Sequence, residues 1–294
     1  MDNNLHSSGA QADRPAAAYR LGLYEKSMPG GLPFERMFRE AKSAGYDFLE
    51  ISIDETDGRL ARLDWGDAEF HALLEARERA GLGVETMCLS GHRRFPLGDP
   101  DPQGRARGIE ILGKAIRFAS RAGIRIVQLA GYDVYYKEHT EETERLFAEG
   151  LALGCRMAAA YGVALGFETM ETPFMDTVAK ARAWVDRVGS PYLMIYPDSG
   201  NLWNAAALGG ADPLADLEAG RGRILALHLK ETKPGRYREV PYGQGHVDFA
   251  RLIPKALDLG VRLFNAEFWH DPQTDWQEAL RANAAFLRGH FPKK

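Results

Sequence analysis

Short runs of apolar and β-branched residues recur from Tyr19 onward. Each is followed by a loop and then by a segment whose apolar positions have helical spacing. The runs are YRLGLYEK (19–26), YDFLEISID (46–54), VETMCLSG (84–91), IRIVQLAG (124–131), VALGFET (163–169), YLMIYPDSG (192–200), RILALHLKE (223–231) and RLFNAEFW (262–269). They are continuous in hydrophobicity, the pattern of parallel strands buried on both faces. Between them, LPFERMFREAKSAG (32–45) sets Phe34, Met37, Phe38 and Ala41 at i, i+3, i+4 and i+7, one helix face. Residues 107–123 and 142–162 repeat that period. Gly45, Gly81, Gly123, Gly162 and Gly260 stand where a helix turns directly into the next strand. Asp67, Thr274 and Asp248 are candidate helix N-caps. Eight strands alternating with eight helices predict an α/β fold, a single (β/α)8 TIM barrel over residues 19–294. A doubly wound sheet would bring a glycine-rich first turn, and GLYEKSMPGG contains no GxGxxG.

Residues 1–18, MDNNLHSSGAQADRPAAA, read as a short mobile N-terminal arm. They lack the basic start and apolar centre of a signal peptide. The 294 residues could hold two domains at roughly 150 each, but barrels reach about 250 as one, and no linker divides the chain. Lys and Arg number 37 against 41 Asp and Glu, a net charge of −4 that argues against a nucleic-acid partner. No window approaches the roughly 20 apolar residues of a membrane helix, so no membrane partner is expected. Two cysteines, Cys88 and Cys155, exclude a disulfide scaffold and suit reduced thiols in a cytoplasmic protein.

Active sites of such barrels lie at the C-terminal ends of the strands. The last four predicted strands end in ionisable groups: Glu168, Asp198, His228 and Glu267. Their spacings are 30, 30 and 39 residues (168 to 198, 198 to 228, 228 to 267), each one β/α unit. The four therefore converge at one height. Three carboxylates facing one another in a low-dielectric mouth repel, and a divalent cation removes the difficulty. Three carboxylates and one imidazole suit one divalent metal ion, Mn2+, Zn2+, Co2+ or Mg2+, without choosing among them.

The segments GFETMETP, YPDSGN, ALHLKETKPG and NAEFW resemble the xylose-isomerase-like barrels in their ketose 3-epimerase branch. LGLYEKSMP, FLEISIDETDGRLARLDW, MCLSGHRRFPLG, IVQLAGYDVYY and VPYGQGHVDF narrow the resemblance to the L-ribulose-5-phosphate (L-xylulose-5-phosphate) 3-epimerases, from about Tyr19 to Phe291. The resemblance implies that Glu168, Asp198, His228 and Glu267 bind the metal, and that Glu168 and Glu267 are also the two acid/base groups. Epimerising C3 beside a C2 ketone goes through a cis-enediolate and needs a proton removed from one face and returned to the other. A homodimer or larger homo-oligomer is also implied. Free-ketose epimerases carry a His three residues after the Asp and an Arg after the His strand. Here Asn201 and Lys233-Pro234 stand there, a departure that counts against use of unphosphorylated sugar.

The other strand ends supply candidate substrate-binding groups: Lys26 after the first, His92, Arg93 and Arg94 after the third, Lys230 and Lys233 after the seventh, and Asn201. Guanidinium forks match phosphate oxygens, so the His-Arg-Arg loop suits a small-molecule ketose phosphate. Glu50 and Asp54 could contact hydroxyls or hold the arginines. The alternatives are a non-phosphorylated ketose 3-epimerase or a sugar isomerase on the same barrel. A barrel nuclease would need many more strand-end histidines than His92 and His228.

Overall fold

The computed structural model describes residues 19–292, so the arm expected over residues 1–18 lies outside the described residues. The strands are β1 Arg20–Tyr24, β2 Phe48–Ile53, β3 Gly83–Leu89, β4 Ile126–Ala130, β5 Ala164–Glu168, β6 Leu193–Ile195, β7 Leu227–Leu229 and β8 Leu263–Ala266. Each lies within one of the predicted runs, except that β3 begins one residue earlier. All pairs are parallel, in the order β6-β5-β4-β3-β2-β1-β8-β7. The two ends of that order meet through parallel bridges at Ile195–Ile224 and Asp198–His228. There the Ile195 amide donates to the Arg223 carbonyl at 2.8 Å and the His228 amide to the Pro197 carbonyl at 2.9 Å, closing the ring.

The helices are α1 Phe34–Ser43, α2 Asp57–Leu60, α3 Asp67–Ala80, α4 Pro102–Ala122, α5 Glu141–Tyr161, α6 Val178–Val188, α7 Ser199–Ala207, α8 Pro213–Glu218, α9 Phe249–Asp258 and α10 Trp276–Arg288. Two exceed the expected eight. One is the short turn α2. The other arises because Gly209, at φ 98°, ends the first half of the β6–β7 connection and Asp212-Pro213 starts a second. The five predicted terminal glycines all adopt positive φ, between 59° and 95°. Asp248 caps α9 through the Arg251 amide. Two caps fall one residue from expectation. Asp275, not Thr274, accepts from the Gln277 and Glu278 amides of α10 at 3.0 and 3.2 Å. Gly66, not Asp67, precedes α3, and its amide donates to the Glu69 carboxylate at 3.0 Å.

Met37, Phe38 and Ala41 of α1 are buried against the barrel, as their spacing requires. Gly22 of β1 leaves room for side chains of its partners on the two neighbouring strands. A Cβ on Gly22 of β1 would lie 2.1 Å from Asn265 Oδ1 and 2.3 Å from the Phe48 ring. The layer beneath the mouth is polar, with Glu50, Thr86, Gln128, Tyr196 and Asn265 all buried. Cys88 and Cys155 are buried and unpaired. Among the described residues no helix is long and apolar enough to cross a membrane.

Candidate active site

Glu168 is the last residue of β5, His228 the middle residue of β7, and Glu267 follows β8 directly. Asp198 lies three residues past β6, where it also caps α7 by accepting the Asn201 amide at 2.7 Å. One donor atom from each of the four lies within 4.8 Å of all the others, and all four residues are buried. His228 Nδ1 is 2.7 Å from the Glu267 carboxylate and 3.8 Å from that of Glu168. Lys230 Nζ is 2.9 Å from both Asp198 Oδ1 and Asn201 Oδ1, and Asn201 Nδ2 donates to the Thr169 carbonyl at 2.7 Å.

Three buried carboxylates thus face one imidazole and one ammonium. Burial pushes the Glu168 and Asp198 carboxyls above their usual range. At Glu267 burial acts in the same sense, but Lys230 and His228 outweigh it and hold that carboxyl low. Burial alone would lower His228; the carboxylates of Glu50 and Glu267 raise it well above an ordinary histidine.

Divalent ions bind oxygen and nitrogen donors at about 2.0–2.3 Å, so ligands on opposite sides of one ion stand about 4–4.6 Å apart. The observed grouping matches that span to within a few tenths of an ångström. Asp198 Oδ2 is buried without a hydrogen-bond partner, a costly state that a cation would relieve. The four residues therefore fit a divalent metal.

The mouth above them is a cavity lined by Glu168 and Glu267 together with Lys26, Arg93, Asn201 and Lys230. The Arg93 guanidinium lies over the Tyr135 ring, 4.6 Å from its centroid, and 4.0 Å from Glu55. Its Nε is buried and has no partner. The neighbouring groups expected beside it go elsewhere. His92 is buried toward α4 with Nε2 3.1 Å from the Gly108 carbonyl, and burial lowers its pKa to about 4. Arg94 points outward, half-exposed, and pairs with Asp57 at 2.8 Å. The reason is local. Gly91–Arg93 form a 3-10 turn, in which successive side chains are separated by about 120°. Lys233 is exposed and does not line the cavity; its backbone pairs with Arg236 in a tight turn.

Asp54 pairs with Lys26 at 2.6 Å. Among the described residues Glu50 has no arginine partner. Its carboxylate meets His228 Nε2 at 2.6 Å, from below. The carboxylate that does hold arginines is Glu25, buried against Arg59 and Arg62. Tyr237, Arg238 and Trp269 also line the mouth, with Arg238 over the Trp269 ring. Arg238 lies in a long polar connection after β7, where no periodicity marks it in the sequence.

The xylose isomerase-like TIM barrel family matches residues 38–290. The L-ribulose-5-phosphate 3-epimerase UlaE of Shigella sonnei (strain Ss046) is 47% identical over 277 residues, 90% of this chain and 95% of its own. UlaE of Escherichia coli (strain SE11) is 43% identical over 280 residues, 91% and 96% of the two chains. The chain belongs to the L-ribulose-5-phosphate 3-epimerase family. It is an isomerase, of the epimerase type. Among solved structures, a D-psicose 3-epimerase in the presence of D-fructose superposes with a TM-score of 0.77 at 16% identity, covering 92% of this chain and 99% of that one. An L-ribulose 3-epimerase gives 0.73 at 19% identity, covering 93% and 94%. At those identities the likeness is one of fold.

Proposed function

We propose that the protein inverts C3 of a ketopentose 5-phosphate, interconverting L-ribulose 5-phosphate and L-xylulose 5-phosphate. The observation that carries this reading is the convergence of Glu168, Asp198, His228 and Glu267 beneath a cavity that Lys26 and Arg93 line. The curated relatives' names supply the substrate class. The C3 proton, beside the C2 ketone, leaves to one carboxylate and returns from another on the opposite face. Glu168 and Glu267 are the two carboxylates, from strands three apart around the ring. When bound, a divalent cation (Mn2+, Zn2+, Co2+ or Mg2+) supplies Lewis-acid stabilisation of the charge developing on the sugar oxygens. Glu168, Asp198, His228 and Glu267 would hold it. Lys230, fixed between Asp198 and Asn201, adds positive charge on the same side. Across the mouth, Arg93 and Lys26 are the cations that take the 5-phosphate, with Arg238 beside them. Two buried, unpaired cysteines accord with a cytoplasmic enzyme.

The test is NMR in D2O on L-ribulose and L-ribulose 5-phosphate, with the metal content of the protein measured first. The expected result is inversion with deuterium entering C3, and strong preference for the phosphorylated sugar. Equal use of both sugars would make the enzyme a free-ketose 3-epimerase, and formation of an aldose would make it a sugar isomerase.

A further inference from the structure

His228 has two ring nitrogens, and the barrel treats them differently. Nδ1 faces the carboxylates of Glu267 and Glu168, while Nε2 points down to Glu50 at 2.6 Å. Gln128 Nε2 stands 3.2 and 3.3 Å from the two nitrogens, across the ring, and so selects neither. Glu50 is fully buried, and among the described residues it has no lysine or arginine partner. A buried carboxylate so placed is expensive unless its acceptor sites are filled.

They are filled in an ordered way. Glu50 Oε2 accepts from Thr86 Oγ1 at 2.6 Å and from the Tyr196 hydroxyl at 3.0 Å. Each of those hydroxyls in turn accepts from Asn265 Nδ2, at 3.0 and 2.6 Å. Occupied as acceptors by Asn265, both turn their own protons toward Glu50. Oε2 is thus taken up by two hydroxyl donors, and Oε1 is left as the acceptor that faces His228 Nε2. An acceptor at Nε2 calls for a proton there; Nδ1, which faces the Glu267 and Glu168 carboxylates in the candidate metal site, is then the nitrogen whose proton a bound cation would displace.

We infer that Glu50 is a positioning residue for the metal centre: it fixes His228 as the Nε2–H form, so that Nδ1 is the ligating nitrogen, and it raises that nitrogen's donor strength. The inference rests on the metal-site reading proposed above. Groups that orient and polarise a ligating imidazole commonly change metal affinity by about 10- to 100-fold when replaced. Thr86 on β3, Asn265 on β8 and Tyr196 just past β6 extend the same support around the ring.

The experiment is a Co2+ titration followed by the visible absorption of the bound ion, on metal-free wild type and Glu50→Gln, with thermal unfolding of both metal-free proteins. Glu50→Gln keeps the volume and an acceptor for Nε2–H but removes the charge. The expected result is Co2+ affinity lowered about 10- to 100-fold, with metal-free Tm changed little. Unchanged affinity would overturn the inference and leave Glu50 a structural filler of the barrel. No Co2+ binding by wild type would overturn the metal-site reading itself. Nitrogen-15 NMR of Zn2+-loaded wild type, labelled at histidine, gives an answer that does not depend on the Glu50 variant. The His228 resonances, assigned by their loss in His228→Asn, should show the proton on Nε2 and the metal on Nδ1; the reverse would overturn the inference.

Discussion

Replacing Arg93 and Arg94 separately by Ala tests how the mouth recognises the substrate's far end. The two residues are adjacent and equally charged, yet Arg93 lines the cavity and Arg94 pairs with exposed Asp57. The Arg93 guanidinium is ordered in advance by the Tyr135 ring, and Glu55, at 4.0 Å, is too distant to satisfy it. A phosphate reaching it would gain a charge-assisted hydrogen bond, worth about 1.5–3 kcal/mol, or roughly 10- to 100-fold in binding. Arg94→Ala loses a surface ion pair, worth about 0–1 kcal/mol to stability, and a contact over the Phe95 ring, neither of them in the cavity. Arg93→Ala should therefore raise KM for L-ribulose 5-phosphate by about 10- to 100-fold with little change in kcat, as loss of uniform binding does. Arg94→Ala should leave both constants near wild type. Free L-ribulose, poorly used throughout, should be indifferent to either change. The assay is kcat and KM for both sugars on the three proteins, with Tm as a control for folding. Equal effects of the two substitutions, or an equal loss on both sugars with Arg93→Ala, would refute the phosphate assignment.

Chelation should abolish activity and added divalent metal restore it; Asp198→Ala or His228→Ala should lower bound metal as measured by elemental analysis. Glu168→Gln and Glu267→Gln should each stop inversion, while at least one still exchanges the C3 proton of a single epimer with D2O. Near wild-type epimerisation by either variant would exclude the two-base scheme. Burial lowers the His92 pKa to about 4 in the folded state, against about 6.5 in the unfolded chain. The unfolded state thus takes the proton first, so this contribution is full above pH 6.5 and falls by about 3 kcal/mol as pH drops to 4. Denaturant unfolding of His92→Gln should show a correspondingly shallower loss across that window; parallel curves would contradict the burial argument.

The barrel was legible because the β/α units repeat the same two periods and five of them end in a predicted helix-terminating glycine. The convergence of Glu168, Asp198, His228 and Glu267 was legible for a related reason, since the fold puts all strand ends at one rim. Direction within a turn was not. HRR reads as one basic patch, but the 3-10 turn sends His92 inward and Arg94 outward. The contact of Glu50 with His228 is not legible either, because every residue of β2 is buried and hydrophobic alternation cannot say which side chains enter the barrel. Arg238 reaches the mouth from a connection whose path depends on tertiary anchors. Among them are the Gly243 and Val247 amides donating to buried Glu231, 12 and 16 residues away.

The ring closes between its two shortest strands, β6 and β7, of three residues each. Asp198 and His228 are partners across that join. Any ion gripped by both works as a latch on the join. A ligand that binds only the closed form, present at 100 times its Kd, adds about 2.7 kcal/mol to the closed state. Metal supply would then govern how long the protein survives as well as how fast it turns over. Stripped of its ion, the molecule should be nicked first by proteases between residues 193 and 229, and amide exchange should be fastest there.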